Sequence, residues 1–112
     1  MVDMKEHDPN KAIDFILKNS KKFALAKANR VYLEEFRKSQ KAILMTKCQE
    51  STAVAREQYA YSHPDYIAII DGIKEAIETE EQLRWSLVAA QARIDVWRTE
   101  AANNRFVEKA TT

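Results

Sequence analysis

The sequence predicts an all-α fold: an elongated antiparallel helical hairpin or three-helix, coiled-coil-like bundle that is expected to oligomerise. Three observations lead there. The chain has one glycine, Gly72, and two prolines, Pro9 and Pro64, so residues 10–63 hold no strong backbone breaker. No segment shows the alternation of β-branched and aromatic residues between turn signals that marks a strand. In the second half, Tyr66, Ile70, Ile73, Ile77, Glu80, Leu83, Leu87, Ala90, Ile94, Trp97 and Ala101 follow one another at steps of three or four, the period of a buried helical face.

The first helix starts at "HDPNKAIDF", where Asp8 can accept a bond from a free backbone N–H and Pro9 suits the first helical position. Ala12, Ile13, Phe15, Ile16 and Leu17 give it a short amphipathic course over about 9–18, and "KNSKK" predicts a bend. A longer helix over about 20–48 follows, with Leu25, Ala28, Tyr32, Phe36 and Ile43 as its buried stripe, widened by Leu33 and Leu44. The periodicity weakens around "TKCQEST", and Ser51 or Thr52 can cap a short helix over about 52–62.

The next corner is "AYSHPDYIAII". Proline disfavours the α conformation at His63 and fits a first helical turn, while Ser62 and Asp65 have the S-x-x-D spacing of a capping box. The last helix therefore starts here, capped by Ser62 or His63, and runs to about 104. Its clearest stretch, about 35 residues, is roughly 50 Å long at the rise of an α-helix. Such a rod must pack lengthwise on the preceding helix or on a second copy.

A chain of 112 residues is the size of one domain. With 46% hydrophobic and 31% charged residues it has the composition of a soluble folded protein, and no apolar run approaches the ~20 residues of a membrane span. The opening "MVDMKEHDPNK" lacks the apolar core of a secretory signal, and Cys48 is the only cysteine, so a cytoplasmic location is expected, without membrane association or disulfide. The net charge of +1 is uneven: residues 1–50 hold eleven Lys/Arg against seven Asp/Glu, and residues 51–112 seven against ten. Such a division can steer a charged partner or draw the two halves together.

No catalytic or metal-binding constellation emerges, and the chain is read as a non-enzyme without metal or cofactor. His63 has Tyr59, Tyr61, Asp65 and Tyr66 around it, but capping and aromatic packing at a helix junction account for them. His7 has no partner at metal-ligand spacing, and the carboxylates of Glu78, Glu80 and Glu81 fit a solvated face, with Arg84 four residues beyond Glu80. A single glycine rules out a glycine-rich phosphate loop. Two binding surfaces remain as candidates. Lys18, Lys21, Lys22, Lys27, Arg30, Arg37 and Lys38, with Tyr32 and Phe36 among them, supply the charge and rings that DNA or an acidic partner would need. In "WSLVAAQARIDVW", Trp85, Val88, Ala92 and Val96 lie on a face rotated from the Leu83–Trp97 line, with Ser86 and Arg93 on a narrow polar side. That second apolar face, with Trp97, is expected to meet either the chain's own other helices or a protein partner, including a second copy.

"VYLEEFRKSQKAILM", "AREQYAYSHPDY" and "LRWSLVAAQARIDVWR" resemble stretches of small, little-characterised helical proteins of tailed bacteriophages and prophages, a similarity of overall pattern over about residues 30–105. The resemblance implies an accessory role beside phage DNA recombination or replication proteins in the host cytoplasm, exercised on a protein or nucleic-acid component. It carries no catalytic or binding residues with it. The alternative is a phage inhibitor of a host enzyme or defence complex acting by protein contact.

Overall fold

The computed structural model describes residues 8–111 and contains three α-helices, with no strand among the described residues. The helices are α1 (Pro9–Lys47), α2 (Ala53–Ser62) and α3 (Pro64–Thr111). The fold is all-α, as the missing breakers required. His7 lies outside the described residues.

Asp8 caps α1 as expected: its Oδ1 accepts from the Asn10 N–H at 2.9 Å and its carbonyl from the Ala12 N–H at 3.2 Å. The bend expected at "KNSKK" does not occur, and the helices expected over 9–18 and 20–48 are one. Asn19 donates from its side-chain amide to the Phe15 carbonyl at 2.8 Å, and Ser20 from its hydroxyl to the Leu17 carbonyl at 3.5 Å. Polar side chains that bond back to the preceding turn are accommodated within a helix, and no glycine or proline interrupts the backbone there.

Thr52 rather than Ser51 caps α2, accepting from the Ala55 N–H at 3.2 Å through its hydroxyl. At the histidine–proline corner, Ser62 ends α2 and donates to the Gln58 carbonyl at 2.7 Å. Ser62 is therefore occupied by the old helix, and the new one is capped by His63. The His63 backbone is extended, with ψ 135°, its carbonyl accepts from the Tyr66 and Ile67 N–H groups, and its Nδ1 accepts from the Asp65 N–H at 3.0 Å. α3 continues past the expected end near 104 to Thr111.

The chain divides into two compact units. The turn unit, Ala24–Glu81, holds the second part of α1, all of α2 and the start of α3; the terminal unit holds the remainder of α1 and α3, up to Phe23 and from Gln82 onward. In the turn unit the α1 and α3 segments run antiparallel, shown by Arg30 bonding Glu80 at one end and Leu44 clustering with Tyr66 at the other. The more covered α1 residues include Ala26, Arg30, Leu33, Arg37, Gln40 and Leu44, at steps of four and three; on α3 they include Tyr66, Ile69, Ile73, Ala76 and Glu80. In the terminal unit the covered positions are Ala12, Ile16, Asn19 and Phe23 on α1, and Leu83, Leu87, Ala90, Ile94 and Ala101 on α3. Each is the seven-residue repeat of a coiled-coil seam.

This corrects the expected stripe of the long helix. Leu25, Ala28, Tyr32 and Ile43 are exposed and Phe36 is half-buried, while Leu33 and Leu44 are in the seam. On α3, Ile70 and Ile77 are exposed beside the seam, and Ile69 and Ala76 take their places. The α1 seam carries Asn19, Arg30, Arg37 and Gln40, so its most apolar arc and its buried arc do not coincide. α2 closes the turn unit. Ala60 is fully covered against Leu44 and Tyr66, Met45 packs beside them, and Tyr61 meets Tyr66 edge to face at 5.3 Å. Lys41 reaches Glu57 at 3.4 Å and lies 4.7 Å from the Tyr61 ring centre. The Tyr61 hydroxyl first, and Glu57 second, hold this ammonium above the usual lysine range.

Gly72 sits inside α3, where a methyl group would meet Leu33 Cδ1 at 3.8 Å, an ordinary contact. Gly72→Ala is therefore expected to stabilise the protein by about 0.4–1 kcal/mol, because alanine loses less backbone entropy on entering a helix. A thermal melt shows it: the transition should rise, and a fall would mean that the glycine is needed for close packing.

Candidate functional site

The terminal unit exposes one continuous apolar face on α3. With Leu83, Leu87, Ala90 and Ile94 turned toward α1, a rotation of about 100° per residue puts Trp85, Val88, Ala92 and Val96 on the opposite side. Trp85 is 63% exposed, Val88 and Val96 are each at least 40% exposed, and Ala92 is exposed. No other part of the unit covers them. Trp97 does not join this face: it continues the inner line by angle, although it too is exposed, at 37%. Further along, Phe106 at 74% and Val107 are exposed as well. Phe106 was not picked out from the sequence, although it stands three heptads from Trp85.

Ser86 and Arg93 flank this face and, with Phe15 and Ala89, line a shallow cleft of about 190 Å³. Glu100 is two turns beyond Arg93; its Oε2 is shut off from solvent without a hydrogen-bond partner among the described residues. Leaving a buried carboxylate oxygen unpaired costs on the order of 1–3 kcal/mol. On the inner side, the Arg84 guanidinium covers the Phe23 ring at 5.3 Å.

The basic residues singled out from the sequence are shared between the two units. Lys18, Lys21 and Lys22 belong to the terminal unit, and Lys27, Arg30, Arg37 and Lys38 to the turn unit. Within the turn unit, Arg30 and Arg37 are in the seam. Arg30 is taken out of the binding set altogether. It is bonded through Nη2 to Glu80 Oε1 at 3.2 Å, through Nε to Glu80 Oε2, and through Nη1 to both Glu34 oxygens at 3.1 and 3.0 Å. These bonds, from Glu80 first and Glu34 second, hold the guanidinium well above its ordinary range, partly opposed by burial. Lys38 pairs with Glu35 at 3.2 Å on the exposed side. Tyr32 and Phe36, proposed as base-stacking rings, stack on each other at 5.9 Å.

Glu80, read as part of a solvated acidic face, is only 2% exposed and faces Arg30 across the seam. In the sequence it stands at the seam's spacing, but nothing there identifies a partner fifty positions away. His63 lines none of the clefts described for the two units. Its Nδ1 is the α3 cap, its ring meets Tyr59 edge to face at 5.5 Å, and Asp65 lies 3.8 Å away. Cys48 is half-buried just after α1. The turn unit has a cleft of about 300 Å³ lined by Ala26, Asn29, Leu33, Gly72, Ala76 and Thr79, with Glu75 at its edge. Its one hydroxyl, that of Thr79, donates to the Glu75 backbone carbonyl at 3.1 Å. Among the described residues, no three His, Cys, Asp or Glu side chains gather as a metal site, and no helix is long and apolar enough to cross a membrane. Comparison with protein-family models, with curated proteins and with solved structures finds no match for the chain.

Proposed function

We propose that the chain is a non-enzymatic, protein-binding helical module and, following its resemblance to small phage proteins, an accessory factor for a component of phage DNA recombination or replication. The outer face of α3 in the terminal unit carries this reading. Trp85, Val88, Ala92 and Val96 expose a tryptophan and two branched aliphatic side chains in one line. Contiguous apolar surface of this kind marks interaction sites, and tryptophan is over-represented among the residues that dominate binding. A protein partner is favoured over DNA because Arg30 is neutralised within the chain and Lys38 is paired with Glu35.

Two measurements test the proposal. Val88→Glu puts a charge in the middle of the face without touching the seam, and is expected to abolish stoichiometric capture of a partner that the unaltered chain retains. Equal capture by both would overturn the reading. Titrations with single- and double-stranded DNA should show no salt-sensitive binding near physiological ionic strength; tight binding that weakens steeply with salt would favour phosphate contacts instead. A captured host enzyme, in place of a phage DNA-processing protein, would turn the accessory role into an inhibitory one.

A further inference from the structure

We infer that the outer face of α3 in the terminal unit pairs antiparallel with the same face of a second copy of the chain, joining two helix pairs into a four-helix dimer. The inference rests on the protein-binding reading of this face and names its partner.

The order of side-chain sizes along the face is what selects a second copy. Trp85, Ala92, Thr99 and Phe106 recur every seven residues on one line of α3: aromatic, small, small, aromatic. Such an order is unchanged when the helix is reversed. A two-fold axis near residues 95 and 96 places Trp85 of one copy beside Phe106 of the other, and Ala92 beside Thr99. The small residues let the helices approach at the centre, and the rings close both ends. Both rings are free to do so, at 63% and 74% exposure. Isologous contacts of this kind, with one patch complementary to itself, are the commonest way soluble chains dimerise.

Charge agrees with the same axis. Arg93 and Glu100 lie seven residues apart on one flank, and neither has an ion-pair partner among the described residues. Reversal about the axis brings Arg93 of each copy to Glu100 of the other, giving two reciprocal ion pairs. On the opposite flank the axis brings the two Asp95 side chains together, a like-charge approach that disfavours this register. The area is adequate. Fully covering the four exposed rings would withdraw on the order of 500 Å², and the valine and alanine surface between them extends the contact toward the ~1,200–2,000 Å² of specific interfaces.

Sedimentation equilibrium on the full chain, with circular dichroism to verify helicity, tests the pairing. The unaltered protein should dimerise at micromolar concentration. Arg93→Glu or Glu100→Arg alone should weaken the dimer about tenfold by making two ion pairs repulsive. The double exchange should restore it to within about threefold. Asp95→Asn keeps an acceptor for the Gln91 side chain, 3.2 Å away, and should tighten the dimer. A chain that stays monomeric at ~100 µM, or a double exchange that does not restore association, overturns the inference. If the chain is monomeric yet Val88→Glu still abolishes capture of another protein, only the second-copy assignment falls. If Val88→Glu changes neither association nor capture, the protein-binding reading falls with it.

Discussion

Arg30→Ala is expected to lower the free energy of unfolding by about 1–3 kcal/mol, because it takes from the buried Glu80 carboxylate its two bonds to the guanidinium. Glu80 is 2% exposed and faces Arg30 across the seam with two hydrogen bonds. Removing the guanidinium leaves that charge desolvated, with its principal counter-ion gone. The reverse change, Glu80→Leu, should do less damage: Arg30 keeps Glu34 at 3.0 Å, and its side chain is 23% exposed, so it can reach water. Replacing both, as Arg30→Met with Glu80→Leu, should recover most or all of the stability, since an apolar pair avoids the desolvation cost on both sides. Urea denaturation of the four proteins gives the comparison. An Arg30→Ala loss below about 1 kcal/mol would mean that water or a neighbouring cation replaces the guanidinium, and the pair would then have no structural weight. A charged pair at seam positions also fixes which turns of the helices face each other, since slipping the register separates it.

Leu44→Ala should cost about 2–5 kcal/mol, the range for deleting a fully covered aliphatic side chain and leaving a cavity. Leu44 is 1% exposed and holds α1, α2 and α3 together through Ala60 and Tyr66. The paired control is Leu25→Ala. By sequence periodicity Leu25 heads the buried stripe, but it is 61% exposed, so its removal should shift stability by no more than about 0.5 kcal/mol. Equal losses at the two positions would mean that Leu25 is covered in solution, by a partner or by a second copy. Against the ~5–15 kcal/mol typical of small domains, Leu44→Ala approaches the limit of what the fold can lose.

Much of the fold was legible residue by residue. The Asp8 cap, a cap at Ser51 or Thr52, the helix junction at His63 and Pro64, and the three-and-four spacing of Leu83, Leu87, Ala90 and Ile94 follow from local chemistry, and local chemistry is written in neighbouring residues. Two of the departures have a common physical source. At "KNSKK", polar residues were read as a bend although their side chains can bond to the helix that contains them. Along α1, the apolar residues were read as the buried side, yet the seam passes through Asn19, Arg30, Arg37 and Gln40 and leaves Leu25 and Tyr32 in solvent. Periodicity reports where apolar residues align; it reports the buried face only when the seam is apolar.

The candidate site divides in the same way. The Trp85, Val88, Ala92 and Val96 line is a property of helical spacing, so the sequence alone determined that these side chains share a face, and that Trp97 stands apart from them by angle. Only the tertiary structure decided which face of α3 meets α1 and is therefore unavailable, and which is left exposed. It alone also decided that Glu80 answers Arg30 from fifty positions away, so that this arginine's charge is balanced within the chain. Helix formation is governed by neighbours within four residues, whereas burial and ion pairing depend on which distant segment packs alongside, and that choice is a property of the packed pair.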